Sequence, residues 1–168
     1  MPLRQAHPAD ASSLAAMSIE VWVGTYLRNG VSAVFADFAL ETFTPAKLAG
    51  QINDTAQTLI VSENGDGLDG YVRIAPDTPG PVAGCGDTEI ATLYVQPRHH
   101  GKGIGKTLLA AAFEECRRLG LPSVWLTTNS ENAPAIAFYG ALGFRKLGTT
   151  DFMIDGQGYA NDVFGIDL

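Results

Sequence analysis

A glycine-rich, basic loop is the feature of this sequence that points most directly to chemistry. It reads His100-Gly101-Lys102-Gly103-Ile104-Gly105-Lys106, follows a predicted strand and opens a predicted helix. Such a turn exposes backbone N–H groups, and the helix dipole adds partial positive charge at the same place. Arg98, Lys102 and Lys106 supply full positive charges. Together these features predict an anion site suited to a pyrophosphate.

The spacing of the glycines excludes two familiar phosphate-binding motifs. The G-x-x-x-x-G-K-[ST] spacing of a Walker loop is not met, and the third glycine of a dinucleotide fingerprint is absent. A lone G-x-G pair also occurs in turns that bind nothing. The glycines by themselves therefore leave a simple tight turn as the alternative to a binding loop.

Two segments resemble the GNAT superfamily of N-acetyltransferases. Residues 89–109, EIATLYVQPRHHGKGIGKTLL, are similar to the family's core motif, whose Q/R-x-x-G-x-G/A loop binds the coenzyme A pyrophosphate. Residues 132–144, NAPAIAFYGALGF, look like its N-x-x-A-x-x-F-Y-x-x-x-G-F segment. His100 departs from the Gln or Arg that the family usually has at the first position of the loop motif. The two segments occur in the expected order on the expected elements.

The resemblance implies a fold and a co-substrate. The fold is a single N-acetyltransferase domain over residues 1–168, of the α/β (α+β) class. Helices flank a mixed, mostly antiparallel central sheet, and a splayed strand pair holds the cofactor. The co-substrate is acetyl-CoA. The residues implied to bind it are Leu93, Tyr94, Val95, His100, Gly101, Lys102, Gly103, Ile104, Gly105, Lys106 and Asn132.

Acetyl transfer from a thioester to an amine requires a base, donors for the oxyanion and an acid for the leaving thiolate. The resemblance implies that Glu89 is the general base, usually through water, and that Tyr139 is the general acid. Strand alternation places Glu89 on one face with the apolar Ala91 and Leu93, so a partly buried carboxylate is expected. The alternatives are a solvent-facing glutamate and, for Tyr139, a core aromatic beside Phe138.

Aromatic residues of the first two predicted helices are the candidate acceptor site: Trp22, Tyr26, Phe35 and Phe38. Aromatic faces hold alkylammonium groups, although core packing explains the same residues. The whole chain is also similar, more weakly, to the PaiA-like branch of polyamine acetyltransferases. The expected reaction is acetylation of a primary amine of a small molecule by direct attack, with a polyamine as one hypothesis. The alternatives are a protein N-terminal or lysine acetyltransferase and a non-catalytic acetyl-CoA-binding module.

Composition restricts the class of protein and of partner. The chain has 168 residues, of which 46% are hydrophobic and 17% charged, which excludes a largely disordered protein. Its net charge of −7 argues against nucleic-acid and anionic-membrane partners. The region from Arg98 to Arg118 reverses this sign, and it contains the predicted anion loop. Elsewhere the acidic balance suits a cationic small-molecule amine.

Cysteines and apolar runs bear on the compartment and on metals. Cys85 and Cys116 fit no metal-ligand spacing, and free thiols in a reducing compartment are expected. His99 and His100 have no third or fourth ligand at suitable spacing, so no metal is expected. The first residues show no signal-peptide pattern, and no apolar run is long enough to span a membrane. These observations predict a cytoplasmic protein; they leave its oligomeric state open, a homodimer included.

Turn and cap residues delimit the elements that must position these groups. Asp10 or Ser12 is predicted to cap a first helix, which Gly24 and the Asn29-Gly30 pair break, and Thr44 to cap a third. The predicted strands are residues 3–6, 58–61, 68–74, 89–95 and 123–128, with two more around the turn at 155–158. The later helices are predicted at 103–119 and 133–142.

Overall fold

The computed structural model describes residues 2–27 and 29–168. Within this part, one strand and three helices come first, three strands follow, and strands alternate with helices from the fourth strand to the sixth. The helices are α1 (Ala11–Tyr26), α2 (Ala33–Thr42), α3 (Pro45–Asn53), α4 (Ile104–Arg118) and α5 (Ala133–Ala141). The strands are β1 (Leu3–Gln5), β2 (Thr58–Asn64), β3 (Gly67–Ala75), β4 (Glu89–Val95), β5 (Ser123–Asn129), β6 (Arg145–Ile154) and β7 (Gln157–Asp167).

The strands form one sheet in the order β1-β2-β3-β4-β5-β7-β6. The pairs β1–β2, β2–β3, β5–β7 and β6–β7 are antiparallel, and β4–β5 is parallel, with Glu89 opposite Trp125. A mixed, mostly antiparallel sheet with helices confirms the predicted fold class.

The chain packs as two compact units. The first contains the residues up to Ile74 together with Thr92–Phe113, and the second contains Ala75–Ala91 and Glu114–Leu168. The division passes through β4 and α4, so each of these elements contributes to both units. The single domain over residues 1–168 stays a prediction.

The first unit has an apolar core between α1, α3 and the strands β2 and β3. Its buried side chains include Leu14, Leu48, Val61 and Tyr71. Helix α4 approaches β3 closely at Gly70, where an added Cβ would lie 3.0 Å from side-chain carbons of Ile104 and Leu108. Glycine at this position therefore allows the helix that follows the anion loop to pack against the strand.

The second unit is built on the antiparallel strands β5, β7 and β6. The long connection between β3 and β4 is anchored to β5, because Trp125 Nε1 donates to the Thr78 carbonyl at 2.8 Å. Cys85 and Cys116 are both free thiols. Cys116 is fully buried, and this burial raises the pKa of its thiol to about 11.

The prediction that Gly24 breaks the first helix is wrong, because α1 continues to Tyr26. A glycine inside a helix costs about 1 kcal/mol relative to alanine. The neighbouring Trp22 is only 4% exposed, and burying it stabilises the helix through this region.

Asp10 stands at the N-cap position of α1, as predicted, but its side chain makes no capping hydrogen bond there. Its carboxylate instead accepts from the His7 backbone N–H at 2.9 Å and from Arg4 at 2.7 Å. These bonds, that to Arg4 above all, lower the pKa of Asp10. The predicted cap of α3 is confirmed, since Thr44 Oγ1 accepts from the Lys47 N–H at 3.2 Å.

Candidate active site

The predicted anion loop lies between β4 and α4 with the geometry that exposes backbone N–H groups. Gly101 and Gly103 have positive φ angles of 77° and 83°, a conformation that L side chains rarely adopt. No atom lies within 4 Å of where a Cβ would stand on either residue, so the space beside both is open. Helix α4 begins at Ile104. Lys102 and Lys106 are exposed, and these features fit a bound pyrophosphate.

The rings of His99 and His100 make hydrogen bonds within the loop segment. The His100 ring donates its Nε2–H to the Val95 carbonyl at 2.9 Å, which closes the loop onto the end of β4. The Lys102 ammonium lies 3.1 Å from His99 Nδ1, and this contact spans the turn before Gly103. His100 thus departs from the family motif in residue type while its ring serves to shape the turn.

The predicted pantetheine-binding strand is half-buried. Leu93, Tyr94 and Val95 are neither core nor fully exposed, whereas Ile90 is 4% exposed. Leu93, Tyr94 and Val95 belong to the first unit. Glu89 belongs to the second, where it is half-buried as expected and lies opposite Trp125 of β5.

Asn132 and Tyr139 lie in the second unit, at the start and near the end of α5. Asn132 Oδ1 accepts from the Ala135 N–H at 3.3 Å, which confirms it as the cap of this helix. Tyr139 is 8% exposed. Its ring packs against those of Phe138, Phe144 and Phe164, with centroid distances of 5.3, 5.5 and 6.1 Å. Burial raises the pKa of the Tyr139 phenol above its usual value.

A polar group lies beside the start of α5. Ser130 Oγ donates to Asp162 Oδ1 at 2.6 Å, and Lys146 Nζ lies 2.9 Å from the same oxygen. These two contacts lower the pKa of Asp162. Ser130 therefore serves to hold a buried carboxylate in its ionised form.

The predicted acceptor residues form one aromatic cluster in the first unit. The Trp22 ring lies 4.7 Å from Tyr26, 5.0 Å from Phe38 and 5.7 Å from Phe35. Trp22 itself is buried, which supports the core-packing alternative for this residue. The other three are half-buried.

The aromatic cluster continues to β4 through a residue that the sequence-based site did not include. Phe43 lies 6.4 Å from Trp22 and 6.4 Å from Tyr94. Tyr94 in turn lies 5.8 Å from Tyr71, edge to face. Phe43 therefore connects the predicted acceptor residues with the predicted pantetheine strand inside the first unit.

A chain of hydroxyl groups supports β4, and no motif indicated it. Ser18 Oγ donates its single proton to the Leu14 carbonyl at 2.6 Å, so Tyr71 is the donor in its 2.7 Å bond to Ser18. The Thr92 hydroxyl hydrogen-bonds the same phenol. Thr92 lies on β4, so this chain joins that strand to α1.

The comparisons with known proteins place the chain in a family. A model of the acetyltransferase (GNAT) family matches residues 26–144. Streptothricin acetyltransferase of Streptomyces lavendulae is 31% identical over 169 residues, which cover 91% of this chain and 86% of that protein. The PaiA N-acetyltransferase of Thermoplasma acidophilum, solved with coenzyme A, superposes with a TM-score of 0.79 at 20% identity, covering 99% of this chain and 98% of that one. The chain belongs to the acetyltransferase (GNAT) family.

A further relative matches over a shorter stretch. Mycothiol acetyltransferase of Saccharomonospora viridis is 34% identical over 97 residues, which cover 56% of this chain and 32% of that protein. The chain thus spans about a third of the length of this relative. At the level of the family, the comparisons confirm the prediction of an acetyl-CoA-dependent N-acetyltransferase.

Neither a metal-ligating cluster nor a membrane-spanning helix is found in the part of the chain that the structure describes. Among residues 2–27 and 29–168, no group of three His, Cys, Asp or Glu side chains is placed to hold a metal ion. None of the helices described for this chain has both the length and the apolar character needed to cross a membrane.

Proposed function

We propose that this chain transfers the acetyl group of acetyl-CoA directly to a primary amine of a small molecule. The observation that carries the proposal is the exposed cationic loop at the start of α4, with Gly101 and Gly103 in left-handed conformations. Membership of the acetyltransferase family supports the reaction type.

The loop and β4 supply the proposed cofactor site. The N–H groups of Gly101 and of residues 103–106 bind the pyrophosphate, and the ammonium groups of Lys102 and Lys106 add charge. The N–H groups of His100 and Lys102 donate instead to the carbonyls of Pro97 and His99. The main chain of Leu93–Val95 pairs with the pantetheine arm like an added strand, and Asn132 contacts the cofactor. Because the His100 ring bonds the Val95 carbonyl, the shape of the loop and the end of this strand depend on each other.

The proposed reaction begins with a charged amine, whose pKa of about 10 keeps it protonated at neutral pH. Glu89 takes a proton from the ammonium group, directly or through water. The neutral nitrogen then forms a bond to the thioester carbonyl carbon, and a backbone N–H of β4 stabilises the oxyanion. The C–S bond breaks, and Tyr139 donates its phenolic proton to the departing sulfur. The nitrogen loses its extra proton through water, which restores the Tyr139 phenol and leaves a neutral amide and free coenzyme A.

The raised pKa makes the Tyr139 phenol a weaker acid, so its proposed contribution is a hydrogen bond to the sulfur that becomes a proton transfer only as negative charge develops there. A phenol in an apolar environment is present almost entirely in its protonated form before reaction. The thiolate that forms is a stronger hydrogen-bond acceptor than the thioester, so the phenol stabilises the transition state more than the ground state.

The proposed acceptor is a small cationic amine, and a polyamine is the specific candidate. The rings of Tyr26, Phe35 and Phe38 are half-buried, and aromatic rings attract alkylammonium groups. The net charge of −7 favours the approach of a cation. Two relatives are named for small molecules, streptothricin and mycothiol.

A panel of amines tests the acceptor class. Spermidine, spermine, putrescine, streptothricin, free amino acids and peptides with free N-termini are each incubated with acetyl-CoA, and thiol release is measured. The proposal expects the highest kcat/KM with a small amine carrying at least one further positive charge. Turnover on peptides alone would instead support a protein acetyltransferase. Binding of acetyl-CoA without turnover of any amine would support a non-catalytic module.

A further inference from the structure

A glutamate of α1 contacts the segment that leads from β4 into the anion loop. Gln96 Nε2 donates to Glu20 Oε2 at 2.9 Å, and Arg98 Nη2 lies 3.5 Å from Glu20 Oε1. Each carboxylate oxygen therefore engages a different side chain of this segment. The Glu20 side chain is 35% exposed, and all three residues lie in the first unit.

Gln96 stands where the chain leaves β4 and turns toward the loop. Its N–H donates to the Asp69 carbonyl at 3.0 Å, and its carbonyl accepts from the His99 N–H at 2.9 Å. The side-chain bond to Glu20 adds an anchor from a helix to these two backbone bonds. Without it, the turn that precedes Gly101 is held to the strands alone, and the loop has more freedom to move.

Arg98 is held much less firmly than Gln96. Its side chain is 71% exposed, and its distance to Glu20 is long for an ion pair. Exposed pairs of this kind contribute little to stability, so an anion can readily replace the carboxylate as the partner of Arg98. A phosphate is a strong competitor, because it forms charge-assisted bonds with a guanidinium group.

Glu20 therefore has two effects of opposite sign on anion binding. Its hydrogen bond orders the turn, which favours binding, whereas its negative charge near the loop opposes the approach of a phosphate. We propose that Glu20 is a positioning residue of the cofactor loop. Glu20 orders Gln96, and it holds Arg98 until a phosphate group of coenzyme A takes the place of the Glu20 carboxylate as the partner of Arg98. This inference rests on the proposed function of the loop.

Two substitutions separate the effects, because both remove the charge and only one removes the acceptor. Glu20→Gln keeps an amide oxygen for Gln96, and Glu20→Ala does not. The Kd of coenzyme A is expected to be about 3- to 10-fold higher for Glu20→Ala than for Glu20→Gln, as a hydrogen bond of ordinary strength predicts. Glu20→Gln is expected to bind about twofold more tightly than the wild type at low salt.

The matched control is Glu114, an exposed glutamate of α4 that pairs with Arg117 at 2.7 Å. Glu114→Gln and Glu114→Ala make the same changes in charge and size and are expected to leave the Kd of coenzyme A unchanged. In an Arg98→Gln background, the gain from Glu20→Gln is expected to shrink.

Isothermal titration with coenzyme A measures these constants, and steady-state assays with acetyl-CoA add the kinetic test. A positioning role changes the KM for acetyl-CoA while kcat stays near the wild-type value. Equal constants for Glu20→Ala and Glu20→Gln, with a wild type that binds coenzyme A, would overturn the role of Glu20 and leave the proposed function intact. A wild type that does not bind coenzyme A would overturn both.

Discussion

Two buried tyrosines, Tyr71 in the first unit and Tyr139 in the second, occupy opposite chemical environments. Tyr71 is 2% exposed, and its hydroxyl bonds Ser18 at 2.7 Å and also Thr92. Tyr139 is 8% exposed and packs among phenylalanine rings. Burial raises both pKa values, but in Tyr71 the hydrogen bonds oppose the rise, whereas for Tyr139 burial acts alone. The Tyr71 hydroxyl is committed to joining β4 to α1, and that of Tyr139 is proposed to act in the reaction.

Tyr139→Phe is expected to have the largest effect. Loss of a positioned acid lowers kcat by about 10²- to 10⁴-fold. The ring packing survives this substitution, so stability and the Kd of coenzyme A stay near their wild-type values. Steady-state assays and titration with coenzyme A check this, and a kcat close to that of the wild type would remove Tyr139 from the mechanism.

Tyr71→Phe is expected to change stability instead of chemistry. The Thr92 hydroxyl loses its buried acceptor, which costs about 1–3 kcal/mol of unfolding free energy. Urea denaturation measures this loss. If Tyr71→Phe lowers kcat as much as Tyr139→Phe while the unfolding free energy is unchanged, the contrast between the two tyrosines is wrong.

Alkaline pH is expected to destabilise the protein through both phenols. Each folded-state pKa lies above the usual value, so the unfolded chain releases its phenolic protons first, at a pH of about 10. The contribution of the two phenols to the free energy of unfolding is fully present below a pH of about 10, and it declines as the pH rises toward the pKa values of the folded state. Urea denaturation at pH 8 and pH 11 is expected to show a smaller decline for Tyr139→Phe than for the wild type; an equal decline would contradict the environment assigned to Tyr139.

Ser18→Ala provides the finest test of the hydroxyl chain. In the wild-type background, Ser18→Ala removes the acceptor of the Tyr71 hydroxyl. In a Tyr71→Phe background the Tyr71 hydroxyl is already absent, so the substitution breaks no bond to it. The two losses of stability are therefore expected to be non-additive by about 1 kcal/mol in a double-mutant cycle. Additive losses would show that the 2.7 Å contact contributes nothing measurable.

Elements marked by glycine, proline and regular periodicity could be predicted from the sequence. Strand β4 has the predicted bounds, and α4 spans Ile104–Arg118 where residues 103–119 were expected. The helix break at Gly24 was wrong, because burial of Trp22 outweighs the local preference of one glycine. Local signals thus place elements well where tertiary packing does not oppose them.

The site divides in the same way. The loop glycines and the Asn132 cap follow from short-range patterns that the structure reproduces. The bond from Ser18 to Tyr71 joins residues 53 positions apart, and that from Gln96 to Glu20 joins residues 76 apart. No spacing rule in one sequence indicates such pairs, so the groups that support β4 and the loop could be found only in the structure.

The most direct test of the central claim is thiol release from acetyl-CoA in a single turnover, with and without a small amine, followed by mass spectrometry of the amine and the protein. Direct transfer predicts that thiol is released only when the amine is present, with one acetylated amine for each thiol and no acetyl group on the protein. Thiol release without an amine, together with acetylation of the protein, would contradict direct attack. The absence of any amine-dependent thiol release would contradict acetyl transfer to a small amine.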